Sequence, residues 1–190
     1  MNLHLDKEAF NELIIIDEKR RDSMSVRLVP VKREDVETVW RMQVEAFSDM
    51  LEKYQDYELS PATEDVDRVI ARFEQPETTY FFIVADDKKV GAIRVVDKQD
   101  ESRKRISPIF IMKEFRNKGY AQQAILEVER LFGSDNWSLD TILQEKGNIH
   151  LYEKLGFSVC GKRPNYYGNR ETAILMKKEI KEKSDEDTCN

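Results

Sequence analysis

The sequence predicts an α/β fold in which helices cover both faces of a mixed β-sheet. Two observations predict it. β-rich stretches alternate with amphipathic helical stretches, and together they give the order β-α-α-β-β-β-α-β-α-β-β. The length agrees, because 190 residues suit one domain with short tails.

The chain opens with a predicted strand and two predicted helices. Residues 26–31 are β-rich. Apolar side chains in residues 36–51 recur every three or four positions, which is one face of a helix. Ser60 and Pro61 are typical of a helix start, so a second helix is expected from there until Pro76 ends it.

A predicted hairpin and a bulged strand follow. Residues 79–85 and 90–96 are β-rich and are separated by a polar turn, which is typical of a hairpin. Residues 105–112 form another predicted strand, but Pro108 lies inside it and cannot donate a ladder hydrogen bond. We therefore expect a β-bulge near Pro108. The remaining predicted elements are helix 121–132, strand 137–143, short helix 149–155, and strands 157–160 and 172–178.

The domain boundaries follow from the distribution of apolar residues. Residues 25–178 contain the predicted elements and form the expected domain. Residues 1–24 are predicted to be a charged N-terminal extension. Residues 179–190 are predicted to be a charged C-terminal tail, because they hold almost no apolar side chains.

Composition argues against several classes of function. The net charge is −6, so we expect no nucleic-acid partner and no anionic membrane partner, since both need a basic surface. The longest apolar run, residues 80–85, is far shorter than the roughly 20 residues of a membrane span. Cys160 and Cys189 lie far apart, which predicts no disulfide framework and fits a reducing cytoplasm. His4 and His150 form no ligand pair, so no metal site is expected.

The first candidate site is the stretch 109–122, which reads IFIMKEFRNKGYAQ. It combines a strand, a short turn and a helix with Gly119 at its N-terminus. The first N–H groups of a helix have no internal partner and the dipole is positive there, so phosphates bind at that end. Gly119 and the small Ala121 leave space for a phosphate, while Arg116 and Lys118 add positive charge. An ordinary strand-to-helix turn with basic surface residues would have the same pattern.

The second candidate site is the stretch 148–157, which reads NIHLYEKLGF. It places Tyr152 on a short helix four residues after Asn148, so both lie on one face. A tyrosine hydroxyl can donate a proton to a departing thiolate. The transfer is not strongly uphill in a dry pocket, because the ordinary pKa of tyrosine is about 10 and that of a thiol about 8.5. The structural alternative is a core tyrosine whose hydroxyl is satisfied.

Together the two stretches resemble a known family. The pattern R-x-x-G-x-A in residues 116–121 is similar to the acetyl-CoA signature of the GNAT acetyltransferase superfamily, and LYEKLGF in residues 151–157 resembles its second hallmark. The resemblance implies a mixed, mostly antiparallel central sheet with a V-shaped splay between strands 4 and 5. It also implies an N-acetyltransferase that uses acetyl-CoA and no metal.

The resemblance implies roles for individual residues. The backbone of Ile109 and Ile111 would pair with the acetyl and pantetheine amides, and Tyr152 would protonate the coenzyme A thiolate. Asn148 would contact pantetheine, in place of an asparagine that many members carry where this chain has Glu145. The other predicted cofactor-binding residues would hold the diphosphate through backbone N–H groups; they are Arg116, Asn117, Lys118, Gly119, Tyr120, Ala121 and Gln122.

The implied reaction is direct transfer to a primary amine, which must first lose a proton. Glu145 is the candidate catalytic base, with Glu45 and Asp49 as further candidates. Residues 45–57 and 163–170 are expected to build the acceptor site. The run KRPNYYGNRETA resembles family members that acetylate protein N-termini. The expected partner is therefore a small-molecule amine or a peptide N-terminus, and the chain is expected to be a monomer or a homodimer.

Two other interpretations stay open. A domain that binds acetyl-CoA without catalysis would act as a sensor or interaction module, and turnover would separate it from an enzyme. A different α/β domain with an accidental glycine turn would show no thermal shift with acetyl-CoA.

Overall fold

The computed structural model describes residues 26–164 and 169–177. The strands are β1 (Arg27–Pro30), β2 (Thr78–Ala85), β3 (Lys88–Val96), β4 (Lys104–Ile111), β5 (Trp137–Ile142), β6 (Phe157–Pro164) and β7 (Glu171–Lys177). The helices are α1 (Val36–Tyr54), α2 (Val66–Phe73), α3 (Tyr120–Phe132) and α4 (Lys146–Lys154). The predicted order of strands and helices is confirmed. All of the predicted extension (1–24) and all of the predicted tail (179–190) lie outside the described residues, so the domain boundaries stay a prediction.

One sheet contains all these strands, in the order β1-β2-β3-β4-β5-β7-β6. Neighbouring strands are antiparallel except for β4 and β5, which are parallel. The β4–β5 pairing joins residues 104–106 to residues 137–139 and then stops. Beyond that point the two strands separate, so the predicted mixed sheet and its V-shaped splay are confirmed.

A β-bulge lies beside the point where β4 leaves β5. Between the pairs Ile93–Ile109 and Val95–Ile106, two residues of β4 face one residue of β3. That is the arrangement of a bulge, and Pro108 is one of the two residues. The bulge predicted from Pro108 is therefore confirmed. Because bulges re-aim the strand that carries them, this one helps to direct the second half of β4 along the opening.

Helices cover both faces of the sheet, as predicted. Side chains alternate along β2 because successive residues of a strand point to opposite faces. Phe81 and Ile83 pack into the core under α3 and α4. Tyr80 and Phe82 pack into the core under α1 and α2. Among the described residues, none of the helices combines the length and the hydrophobicity that crossing a bilayer requires.

The predicted start of the second helix is wrong. Ser60 instead caps a separate 3-10 turn, Pro61–Thr63. Helix α2 starts after that turn, where the Asp65 carboxylate accepts a hydrogen bond from the backbone N–H of Asp67. The sequence therefore holds two capping signals in succession, and local pattern does not tell which of them begins the longer helix.

Candidate active site

Two cavities meet where β4 and β5 separate. The larger cavity, about 610 Å³, extends between the N-terminus of α3 and α4. The smaller cavity, about 370 Å³, lies between the end of α1, β5 and the β6–β7 hairpin. Of the residues that the structure describes, five line both cavities: Phe47, Met50, Ile109, Asn148 and Tyr152. A molecule bound in one cavity therefore meets a molecule bound in the other beside Tyr152.

The N-terminus of α3 opens onto the larger cavity. Gly119 precedes the helix in a left-handed conformation, with a φ of 79°. A Cβ atom there would have one heavy atom within 4 Å, the Gln123 Nε2 atom at 3.7 Å. The Gln123 N–H donates to the Gly119 carbonyl, at 3.1 Å, and the N–H groups of Tyr120, Ala121 and Gln122 precede that bond. This end of α3 therefore has the open space and the backbone donors that an anion needs.

The structure brings the predicted cofactor-binding residues together, with one exception. The exception is Lys118, whose Nζ lies over the ring of Phe115, 5.5 Å from its centre. Two basic residues that the sequence analysis missed, His150 and Lys154, also line the larger cavity. They are four residues apart on α4, so helical spacing could have found them. The predicted residues that line the larger cavity are Ile109, Ile111, Arg116, Asn117, Gly119, Tyr120, Ala121, Gln122 and Asn148.

The second half of β4 has backbone groups available on its open side. The Met112 N–H donates to the Val90 carbonyl of the β3 edge, at 2.8 Å. Alternate residues of an antiparallel strand direct their backbone groups to opposite sides. The groups of Ile109 and Ile111 therefore point away from β3, on the side of the larger cavity, where the Ile111 carbonyl accepts a hydrogen bond from Arg116. A ligand amide could pair with them as an added strand would, and this pairing stays a prediction.

The Arg116 guanidinium contacts backbone carbonyls, whereas its motif suggested that it adds positive charge beside a phosphate. Its NH2 group donates to the Ala46 carbonyl at 2.6 Å, and Nε donates to the Ile111 carbonyl at 3.2 Å. NH1 approaches the Asp49 carboxylate at 3.4 Å. The side chain thus joins the glycine turn to α1 and to the end of β4, and it is not a free cation beside the turn. The predicted backbone role of Arg116 is untouched by this difference.

We expect Arg116→Gln to lower the free energy of unfolding by about 1–3 kcal/mol, because two carbonyl groups lose a charged donor. Urea denaturation measures the change. Lys113→Gln is the matched control, since Lys113 pairs with the same Asp49 carboxylate at 3.2 Å but is 75% exposed. Such an exposed pair contributes little to stability, because water screens it. Equal stability of the two variants, with weaker coenzyme binding for Arg116→Gln alone, would contradict the joining role.

Tyr152 lies at the junction of the two cavities and is 7% exposed. Its ring packs edge-on against Phe157, with centres 6.1 Å apart. Burial raises the pKa of Tyr152 to about 12, because the phenolate is poorly solvated there. The hydroxyl is therefore protonated throughout the neutral range and can act as a proton donor.

Glu145 lies in the larger cavity but is held by two partners on α1. The Lys53 Nζ is 2.6 Å from its Oε1, and the Tyr54 hydroxyl donates to the same oxygen at 2.5 Å. The hydrogen bonds from Lys53 and then Tyr54 lower the pKa of Glu145. A carboxylate held in this way is a weaker base, so the geometry favours a bridge between α1 and α4 over the catalytic role suggested by the sequence.

The other candidate bases lie away from the cavities. Glu45 is exposed on α1 and lines neither cavity. Asp49 also lines neither, and its hydrogen bond with Lys113 lowers its pKa, with a further contribution from the charge of Arg116. In residues 26–164 and 169–177, no group of three or more His, Cys, Asp or Glu side chains is placed to hold a metal ion.

Both segments expected to form the acceptor site, residues 45–57 and 163–170, contribute to the lining of the smaller cavity. Met50, Tyr54 and Asp56 contribute from the end of α1 and the loop after it, and Arg163 and Arg170 contribute from the last hairpin. The backbone N–H of Asn169 donates to the Tyr54 carbonyl at 3.0 Å, which ties the hairpin to α1. The two tyrosines of the run NYYG lie outside the described residues.

The fold and the site define a class of protein. A splayed mixed sheet, with an open helix N-terminus beside the splay and a buried tyrosine within it, is the arrangement of an acetyltransferase that takes its acetyl group from acetyl-CoA. The model of the acetyltransferase (GNAT) family matches residues 39–157, which is more than half of the chain. The chain therefore belongs to the GNAT family of acetyltransferases.

Individual relatives agree with this assignment. Spermidine N(1)-acetyltransferase of Escherichia coli (strain K12) is 31% identical over 160 residues, which cover 80% of this chain and 84% of that protein. The fold is similar to that of spermidine N-acetyltransferase from Vibrio cholerae in complex with CoA and spermine. For that pair the TM-score is 0.63 and the identity 16%, with 80% of this chain and 94% of the other covered. The microcin C7 self-immunity acetyltransferase MccE, in complex with acetyl-CoA and AMP, gives a TM-score of 0.61 at 13% identity, covering 80% and 92% of the two chains.

Proposed function

We propose that the protein transfers the acetyl group of acetyl-CoA directly to the primary amine of a small molecule. The observation that carries this proposal is the meeting of the two cavities beside Tyr152. The coenzyme would occupy the larger cavity and the amine the smaller one, so that the amine attacks the thioester without a covalent enzyme intermediate.

The larger cavity suits the coenzyme in shape and in charge. The α3 N-terminus offers backbone donors next to Gly119, where a diphosphate would bind. Lys154 lines the same cavity and supplies a positive charge for phosphates, and His150 beside it supplies a ring nitrogen that can donate a hydrogen bond. The edge of β4 that faces away from β3, at Ile109 and at the Ile111 N–H, would hold the pantetheine arm by backbone hydrogen bonds.

Tyr152 would donate its proton to the sulfur that leaves as the new amide forms. Its burial keeps the phenol neutral, which is the state that a donor needs. Asn148 lies one helical turn earlier on α4 and lines both cavities. It would help to fix the position of the reacting groups.

The amine would lose its proton to water and not to a side chain. The carboxylates that line the cavities in the described part of the chain are Asp56, Asp140 and Glu145. Each of them is bound by an arginine or a lysine. Both cavities are open to solvent, so water can carry the proton away before the attack.

A small amine is favoured over a peptide N-terminus and over a non-catalytic sensor. The relative with the highest identity given above is named as an acetyltransferase of spermidine, a small amine. A sensor would need the coenzyme cavity alone, whereas this chain has a second cavity that opens onto the same tyrosine.

An assay of thiol release from acetyl-CoA tests the proposal against a panel of small amines and N-terminal peptides. We expect release that depends on the amine and is fastest with a small amine. A thermal shift with acetyl-CoA but no release with any amine would instead indicate a sensor. The absence of any shift would overturn coenzyme binding itself.

A further inference from the structure

The smaller cavity carries charged side chains of both signs. Asp56 and Asp140 are its acidic lining residues, and Arg163 and Arg170 are its basic ones, in the described part of the chain. A polyamine is bound best where carboxylates that are not paired with basic side chains face its ammonium groups. The pairing of these four side chains therefore decides which amine the cavity suits.

Asp56 is engaged by the protein itself. The Nε and NH2 groups of Arg170 donate to its Oδ2 at 2.8 and 2.6 Å, and the Leu59 N–H donates to Oδ1 at 2.8 Å. The side chain of Asp56 is 3% exposed and that of Arg170 is 14% exposed. Separating such a buried pair is costly, so Asp56 does not provide an acidic site for an incoming ammonium group.

Asp140 is outnumbered by arginines. Its Oδ2 accepts a hydrogen bond from Arg105 of β4 at 2.9 Å and another from Arg163 of β6 at 2.5 Å. Two guanidinium groups against one carboxylate leave this cluster with a net positive charge. The Arg163 side chain is 60% exposed and lines the cavity. A guanidinium has five donors and its geometry matches that of a carboxylate, so Arg163 has donors left for a ligand.

We propose that the acceptor is an amine that also carries a carboxylate, and that Arg163 binds this carboxylate. This inference rests on the proposed function, because it assumes that the smaller cavity holds the acceptor. It departs from the polyamine named for the relative of highest identity given above. A polyamine would place a second ammonium group beside a cluster that is already positive, whereas a carboxylate would be attracted to it.

Matched substrates test the charge directly. Amino acids of increasing amine-to-carboxylate distance, from glycine to aminohexanoate, are each compared with their carboxamide, and spermidine is included as a polycation. We expect at least one acid to exceed its carboxamide in kcat/KM by about tenfold or more. Equal kcat/KM for every acid and its amide, or the highest kcat/KM for spermidine, would overturn the inference.

Variants then locate the carboxylate. Arg163→Gln is expected to bring the ratio of acid to amide close to one, and Arg163→Lys to retain part of it. Lys162→Gln is the matched control. Lys162 is the neighbouring residue of β6, does not line the cavity and pairs with Glu171 at 3.6 Å, so its loss should leave the ratio unchanged. An equal loss of activity toward acid and amide in Arg163→Gln would contradict a role in carboxylate binding.

Binding separates this inference from the proposed function. Calorimetry on the protein saturated with coenzyme A measures the affinity for the acid and for its amide without any turnover. Tighter binding of the acid together with no thiol release would support the carboxylate site and overturn the acetyltransferase proposal. Thiol release with amines that carry no carboxylate, together with equal binding of acid and amide, would support the acetyltransferase proposal and overturn the carboxylate site.

Discussion

Replacing Gly119 with Glu is expected to weaken coenzyme A binding by about a hundredfold, or about 2.8 kcal/mol. Two effects add up. Gly119 has a φ of 79°, which side chains other than glycine rarely adopt, so the substitution strains the turn by about 1 kcal/mol or more. The new carboxylate would also occupy the N-terminus of α3, where the diphosphate is expected, and would repel it. Calorimetric titration with coenzyme A at low salt measures the affinity.

Gly119→Gln separates the two effects. Glutamine has the shape of glutamate and imposes the same backbone strain, but it carries no charge. The Cβ of either residue has room, since the heavy atom closest to it is at the flexible end of the Gln123 side chain, 3.7 Å away. We expect Gly119→Gln to lose about tenfold in affinity from backbone strain. Gly119→Glu should lose about a further tenfold from its charge. Identical affinities for the two variants would rule out an anion at this helix end.

Replacing Tyr152 with Phe is expected to lower kcat by about a hundredfold, because the loss of a general acid costs at least that much when proton transfer limits the rate. The affinity for coenzyme A should change little. Phenylalanine keeps the ring and its edge-on contact with Phe157. Steady-state kinetics across pH 6 to 10 measure the effect. In this range a pKa of about 12 keeps the wild-type hydroxyl protonated, so its own titration should not appear in the profile.

Tyr80→Phe is the matched control for Tyr152→Phe. Tyr80 is also buried, but it packs under α1 and α2 and lines neither cavity. Its substitution removes a buried hydroxyl from the opposite face of the sheet. We expect kcat to be unchanged in this variant. A kcat for Tyr152→Phe equal to that of wild type would show that another group, such as water, protonates the thiolate.

Several features of the fold could be predicted because they are local. The helical face in residues 36–51 and the polar turn between β2 and β3 depend on neighbouring residues alone. The bulge at Pro108 was predictable because proline lacks an N–H group wherever it lies. The wrong start of α2 shows the limit, because Ser60 and Asp65 are both good capping residues and the local sequence does not rank them.

The sequence could not predict which groups the charged side chains contact. Glu145 had the pattern of a free carboxylate, yet its partners Lys53 and Tyr54 lie more than ninety residues earlier. Arg116 had the pattern of a phosphate ligand, yet its guanidinium reaches the carbonyl of Ala46 on α1. Such contacts form when elements that are distant in sequence pack together, so the apolar periodicity of the sequence does not predict them.

By itself, the sequence determined the order of the elements, the glycine turn before α3 and the placing of Asn148 and Tyr152 on one helical face. These features depend on backbone geometry and on spacing within a few residues, so they do not require distant parts of the chain to pack. Only the tertiary structure decided that two cavities meet at Tyr152 and that Asp140 faces two arginines from different strands. The reason is physical: charge at a site is the sum over side chains brought together by packing, and that sum exists only after the sheet has formed.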